Sequence, residues 1–332
     1  MKKITLLIAY FFIAQSGSAQ VLFEEDFNSY SAGHLNTDYT GTTTGQGDWR
    51  AERPGNGSIG TTAMVAPETG KGNVLTMTTN GTIPNEYVTI QQDDGIIDAL
   101  WNNRTTGNNV LKLEFEVYGA DQFIVYARLL GQGSDFMLLT FKSTTAYRIE
   151  TLIPSSTSSL ILKNYSATTF PYNMWIKAEM FIDCNTQKAY FYIPTLNLFR
   201  TDTIKNFKAP DNISFSGNNL KQLTSVVKFD NIKLTALQSV PAYIDALSAD
   251  EWVSSKFNLY PNPATNVVNI TNSENMLVQQ VAVYDVTGKQ LSTQTFNNQS
   301  EIQLNVENLA SGVYMLHIET NAGIAVKKLV KK

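Results

Sequence analysis

Between Leu111 and Val117 the chain alternates without a break: Leu111, Leu113, Phe115 and Val117 are apolar, and Lys112, Glu114 and Glu116 stand between them. Successive side chains of a strand point to opposite faces, so a two-residue period fits a sheet with one buried and one wet face. Runs of this kind, about five to nine residues long, recur along the chain between clusters of turn residues. The longer period of an amphipathic helix is nearly absent, and Asp93 to Trp101 is the best candidate for a short helix. The chain is therefore expected to be all-β, arranged as two sandwiches.

Composition narrows what such a fold can do. Cys184 is the only cysteine, so no internal disulfide forms and cohesion must come from packing or a bound metal. Lys and Arg number 25 against 29 Asp and Glu, a net charge of -4 without a basic stripe, which speaks against nucleic acid as a partner. At the N-terminus Lys2 and Lys3 precede an apolar run from Ile4 to Ala14, and Gly17 and Ala19 follow at the spacing a signal peptidase reads. Residues 1–19 read as a signal peptide, with Gln20 as the new N-terminus; the apolar run falls short of the roughly 20 residues that span a bilayer. No later stretch is long and apolar enough to cross as a helix.

The segment 238–256 breaks the strand pattern with Pro241, Asp250 and Glu251 and reads as a linker. Beyond it stand seven short strand candidates, 257–260, 266–270, 278–284, 289–296, 301–305, 312–319 and 324–330, the inventory of a small immunoglobulin-like sandwich. Four motifs recur in order here: Leu-Tyr-Pro-Asn-Pro-Ala from Leu259, Val-Tyr-Asp-Val-Thr-Gly-Lys from Val283, Leu-Ala-Ser-Gly-Val-Tyr from Leu309, and a terminal Lys-Lys-Leu-Val-Lys-Lys. Together they make residues 257–332 resemble the type A sorting domain of the type IX secretion system of Bacteroidetes. The resemblance implies passage across the outer membrane through that machinery, usually with removal of the domain and often with surface attachment.

Any binding or chemistry belongs to residues 20–237. A hairpin turning at Gly119-Ala120-Asp121 would set Val117 opposite Phe123, Phe115 opposite Val125, Leu113 opposite Ala127 and Leu111 opposite Leu129. A second hairpin would pair Ile182 with Ala189, Met180 with Phe191 and Ala178 with Ile193, leaving Trp175, Lys177, Glu179, Tyr190 and Tyr192 on its other face. The region opens Glu24-Glu25-Asp26-Phe27-Asn28-Ser29-Tyr30 and closes Val227-Lys228-Phe229-Asp230-Asn231-Ile232-Lys233-Leu234. This frame resembles concanavalin-like jelly-roll domains of the laminin-G type. Many such modules hold a structural Ca2+ between first and last strands, and Glu25 and Asp230 supply the hard oxygen ligands that the resemblance implies.

Catalytic options are few. His34 is the only histidine of this region, in a Gly- and Thr-rich loop without a nucleophile motif, and Cys184 has no neighbouring base. Glu114 and Glu116 share a strand face but lack the central Asp of a glucanase strand, so they read as a solvated face. Trp49, Trp101 and Trp175 read as core or loop anchors. Sugar binding needs only aromatic faces and groups that bond hydroxyls, which Tyr126, Arg128, Glu179, Tyr190 and Tyr192 supply. The expected protein is a secreted or surface-held, non-enzymatic glycan-binding or adhesion module. A glycoside hydrolase or polysaccharide lyase on the same scaffold is the alternative, and a structural surface protein the third reading.

Overall fold

A computed structural model describes residues 19–53, 60–82, 86–120, 123–131, 134–143, 147–152, 160–204, 207–219, 223–286 and 289–332. The expected signal peptide lies outside these residues except for Ala19. The chain divides into two compact units, Met1–Val240 and Pro241–Lys332.

The first unit begins with β1 (Gln20–Glu25), β2 (Gly33–His34), β3 (Thr40–Thr44), β4 (Trp49–Glu52), β5 (Thr62–Glu68) and β6 (Gly72–Thr79). It continues with β7 (Tyr87–Gln92), the short helix α1 (Ile96–Asn102), β8 (Val110–Gly119), β9 (Ile124–Gly131), β10 (Ser134–Ser143) and β11 (Tyr147–Leu152). Then follow β12 (Leu160–Asn164), β13 (Trp175–Asp183), β14 (Lys188–Ile193), β15 (Leu198–Thr203), β16 (Asn212–Asn218) and β17 (Ser225–Leu237). One antiparallel sheet has the order β15-β14-β13-β8-β17-β6-β5-β2, with β1 also paired to β17; the other runs β12-β11-β10-β9-β16-β7-β4-β3. The pairing of β1 with β17 joins the opening and closing segments of the unit, Glu24 to Lys233 and Glu25 to Ile232. This is the jelly-roll architecture expected for it.

Alternation decides which side chains fill the space between the sheets. Leu111, Leu113, Phe115 and Val117 of β8 are all buried, and so are Val125, Ala127 and Leu129 of β9. An aromatic cluster joins the layers: Phe115 and Phe229 come from the first sheet, Phe215 and Trp49 from the second. Ring centroids lie 5.4 Å apart for Phe115 and Phe215, 5.0 Å for Phe215 and Phe229, and 6.4 Å for Trp49 and Phe215. Full burial of each ring contributes on the order of 1.5–3 kcal/mol before any gain from ring geometry.

The structure overturns one expected hairpin and supports the other. β8 pairs with β13 and β17, whereas β9 pairs with β10 and β16, so the two alternating runs lie in opposite sheets. Their apolar rows meet core from both sides rather than each other along one ladder. In the β13–β14 hairpin Met180 does pair with Phe191 and Ile182 with Ala189. Its turn is held by Asp183, whose carboxylate accepts the Asn185 N–H at 2.9 Å and the Thr186 hydroxyl at 2.8 Å.

In the second unit the segment read as a linker contains helix α2 (Ala242–Lys256). Pro241 precedes its first turn, Asp245 lies in that turn and Lys256 in the last, each at the end that favours it. Val253 is fully buried in this unit's core, and the Ser254 Oγ accepts the Val326 N–H at 2.8 Å. The seven expected strands follow as β18 (Phe257–Tyr260), β19 (Val267–Asn272), β20 (Val278–Tyr284), β21 (Gln290–Gln299), β22 (Ile302–Asn305), β23 (Gly312–Thr320) and β24 (Gly323–Lys331). They form sheets β18-β19-β22 and β21-β20-β23-β24 around Phe257, Val268, Ile270, Val281, Leu316, Ile318 and Leu329.

The four motifs each hold a junction of this sandwich. Asn262 donates through Nδ2 to the Lys328 carbonyl and accepts the Val330 N–H at Oδ1, both at 2.8 Å, so the first motif is stitched to the last. Ala264 extends the stitch, its N–H reaching the Val330 carbonyl and its carbonyl the Lys332 N–H. Asp285 closes the second motif by accepting the Lys289 N–H at 3.0 Å, and the Tyr314 hydroxyl donates back to the Ala310 carbonyl at 2.7 Å in the third.

The cross-sheet placement of Phe115 makes a measurable difference. Phe115→Ala and Phe215→Ala are each expected to cost about 3–5 kcal/mol in denaturant unfolding. Their effects should be coupled by about 0.5–1.5 kcal/mol, whereas strictly additive losses would contradict direct ring contact.

Candidate functional site

The outward face of the eight-stranded sheet can be assembled strand by strand from its registers. Ala51, Ile90, Phe215, Ala127, Leu139 and Ile149 point into the core, so their neighbours point out. One outward row runs Glu52, Thr89, Ser216, Tyr126, Thr140, Glu150 across six strands. The adjacent row runs Arg50, Gln91, Ser214, Arg128, Leu138.

Small hydroxyl residues form the floor of this face and long side chains its walls. Ser214, Ser216 and Thr140 are buried, while Tyr126, Arg128, Gln91 and Tyr87 are half-buried and Glu52 is exposed. Arg128 donates through Nη1 to the Ser216 Oγ at 2.6 Å, which lies 2.7 Å from the Thr89 hydroxyl. The Arg128 guanidinium also sits 4.7 Å from the centre of the Tyr126 ring. Glu150 is held by Lys142 at 2.7 Å and by Arg148. Arg50 is held by Asp93 and, at 2.7 Å, by Asp94.

Two clefts open along these rows and share Gln91 and Leu130. One, of about 280 Å³, is lined by Glu52, Tyr87, Thr89, Arg128, Ser216 and Asn218 among others. The other, of about 670 Å³, lies at the start of α1 between Asp94, Asp98, Asp211 and Asn212. The groove they form presents carboxylates, amides, hydroxyls and one stacked guanidinium, groups that exchange hydrogen bonds with a polyhydroxylated ligand.

The nine-stranded sheet faces outward differently. Lys112 bonds Glu114 at 2.8 Å and Glu179 at 2.9 Å, and Lys177 bonds the same two carboxylates at 2.9 and 3.2 Å. Lys71 joins Glu116 and Asp230 and lies 4.3 Å over the Trp175 ring. Burial alone would raise the Glu114 and Glu116 carboxyls, but their lysine partners outweigh it and hold both below the ordinary carboxylate range. Opposite charges here satisfy one another.

The five residues expected to form one glycan-binding strip are therefore divided. Tyr126 and Arg128 lie on β9 in the eight-stranded sheet; Glu179, Tyr190 and Tyr192 lie on β13 and β14 in the nine-stranded one. Glu179 and Tyr190 are each only 5% exposed, so they are components of the packed face. Glu52, Thr89, Gln91, Ser214 and Ser216, absent from the expected set, are the residues that accompany Tyr126 and Arg128. Their signal is the outward phase of their strands, which becomes visible once the neighbours of β9 are known.

Glu25 and Asp230 do not fit a shared calcium site. Glu25 accepts the Phe27 N–H at 2.6 Å, the Tyr30 hydroxyl and, at 3.5 Å, the Trp49 indole N–H. Asp230 accepts the Lys71 ammonium at 3.1 Å and the N–H of Asn231. Their oxygens face proton donors and a cation of the chain itself, and among the described residues no three His, Cys, Asp or Glu side chains cluster to hold a metal ion. Burial raises the carboxyl of each above its ordinary value. His34 is exposed, 3.3 Å from the Tyr39 hydroxyl. Trp49 and Trp101 are core residues.

Residues 258–332 match the family described as the secretion system C-terminal sorting domain. The C-terminal unit carries a type IX sorting domain. The sorting domain directs the chain to the cell surface or beyond it, and among the described residues no helix is long and apolar enough to cross a membrane. No curated protein matches the chain in sequence.

Among solved structures, a sialidase is similar over 79% of the chain, with 8% identity and a TM-score of 0.44; the chain spans only 23% of that protein. The CBM2 module of the evolved Dit of Lactobacillus casei BL23 phage J-1 is 10% identical over 67% of the chain and 98% of the module, with a TM-score of 0.43. The carbohydrate recognition domain of Emp47p is 6% identical over 66% of the chain and 97% of that domain, with a TM-score of 0.39. At such scores and identities a likeness says nothing of activity.

The lattice on the nine-stranded sheet carries a pH dependence with a definite sign. Glu114 has a folded pKa below its ordinary 4.5, so its contribution to stability is present above that value and is lost as pH falls through the lower folded value. Thermal unfolding at a series of acidic pH values should show a shallower loss of Tm in Glu114→Gln than in wild type; identical slopes would show that the lysines do not act on Glu114.

Proposed function

We propose that the exported protein binds a glycan in the groove on the outward face of the eight-stranded sheet. The observation that carries this reading is the pair of registered rows in which Glu52, Thr89, Gln91, Tyr126 and Arg128 surround a floor of serine and threonine. A sugar chain laid along such a groove finds acceptors and donors for its hydroxyls, and the half-buried Tyr126 ring and Arg128 plane give its ring faces something flat to pack on. On the opposite sheet a cleft of about 290 Å³ is lined by Glu114, Glu116 and Lys177, whose charges already pair with neighbours. The N-terminal segment would act as the export signal that brings the chain to the outer secretion step.

The two carboxyls of the longer outward row do not make a hydrolytic pair. Glu52 and Glu150 stand five strands apart, about 24 Å at the usual spacing of about 4.8 Å per strand. Carboxyl pairs that hydrolyse glycosides stand roughly 5–9.5 Å apart. Glu114 and Glu116 lie in the other sheet and are bound to lysines.

A glycan array of the mature protein identifies a ligand, and variants then locate its site. Arg128→Ala and Gln91→Ala should each weaken binding about tenfold, the size expected for one hydrogen bond to a charged or well-placed polar group. Tyr192→Ala, on the other sheet, should leave affinity unchanged. Equal affinities for all three would overturn the groove as the site. A chain shortened by residues 258–332 is expected to accumulate in the periplasm; its appearance at the surface or in the medium would contradict the export step assigned to that unit.

A further inference from the structure

One end of the first unit's core is not closed by hydrocarbon. Gly217 on β16 faces β6 and β17 across the two layers: a Cβ there would stand 3.3 Å from that of Met77 and 3.6 Å from that of Val227. Two residues further along each strand the side chain returns to the same face. That step replaces Gly217 by Asn219, Met77 by Thr79 and Val227 by Ser225. Thr79 and Ser225 are direct register partners. On the neighbouring strand Val88 pairs with Gly217, and two residues before it stands Glu86, whose carbonyl accepts the Asn219 N–H at 2.9 Å.

Register and phase direct these four side chains into the space between the sheets. Asn219 is 0% exposed, and Thr79, Glu86 and Ser225 are each 1% exposed. Among the described residues the Asn219 Oδ1 and Nδ2, the Thr79 Oγ1 and the Ser225 Oγ have no hydrogen-bond partner. Sequestering so many polar atoms without partners is costly, and an ion held by the three oxygens would offset that cost. Two hydroxyl oxygens and an amide oxygen beside a carboxylate are the hard donors that calcium-class ions take.

We infer that the layer of Thr79, Glu86, Asn219 and Ser225 binds a hard cation between the two sheets. The ion would tie β6 and β17 of one sheet to the ends of β7 and β16 in the other, at a place separate from Glu25 and Asp230 and next in the chain to Tyr87 and Asn218 of the groove. The test uses the mature full-length chain, stripped with a chelator and desalted. Readdition of millimolar CaCl2 is expected to leave about one calcium per chain by elemental analysis and to raise Tm by about 4 °C or more over choline chloride of equal ionic strength. Asn219→Leu should abolish both responses. Should that variant fail to fold, Thr79→Val keeps the side chain's shape while removing one ligand, and should weaken calcium binding about tenfold. Asp230→Asn should respond as wild type does. Absence of bound calcium and of any Tm change in wild type would mean that the layer holds only water and would overturn the site; so would an unchanged response of Thr79→Val, or loss of the response in Asp230→Asn.

Discussion

The contact of Phe115 and Phe229 with Phe215 and Trp49 is the constraint on which the first unit depends. Four rings drawn from two sheets fill the space between them, and each is fixed in position because its strand neighbours must point the other way. Once Phe215 faces inward, Ser214 and Ser216 face outward; once Phe115 does, so do Glu114 and Glu116. The chemistry available on each outer surface is thus determined by the phase of the core beneath it.

The two outer surfaces then differ in how their polar groups are satisfied. On the nine-stranded sheet acids and lysines bond one another both along β8 and β13 and across the ladder between them, so the charges of that face are already engaged. The eight-stranded sheet has short side chains where its partner has long ones. Ser214 and Ser216 leave room above the backbone, and that room is part of the groove. The groove arises from the small size of central residues, with Arg128 at its wall.

Side-chain phase was legible in the sequence, and pairing only in part. The alternation of Leu111 to Val117 places every one of those residues on its correct face, the β13–β14 register of Met180 with Phe191 holds, and the seven strands of the second unit fall where turn residues bound them. An apolar row, however, matches another equally well along a ladder or across a core. For that reason β8 and β9 read as a hairpin although they lie in opposite sheets, and Tyr126 and Arg128 read as one face with Tyr190 and Tyr192. The polar partners in the groove come from β4, β7 and β16, distant in sequence, which no local pattern joins to β9. Helix α2 lacks a clean apolar stripe; Pro241 before it, Asp245 in its first turn and Lys256 in its last were the signals present.

Cys184, at the β13–β14 turn, illustrates how a local environment suits a chain to its destination. Burial pushes its thiol up to about 12, only partly countered by Arg104. At neutral pH the thiolate is then on the order of one molecule in 10⁴–10⁵, and the thiolate is the form that attacks disulfides and peroxides. A chain that leaves the cell carrying one unpaired sulfur would ordinarily cross-link with its own copies or be capped by small thiols. Here the raised thiol keeps the reactive thiolate scarce, which slows such reactions when the chain enters oxidising surroundings.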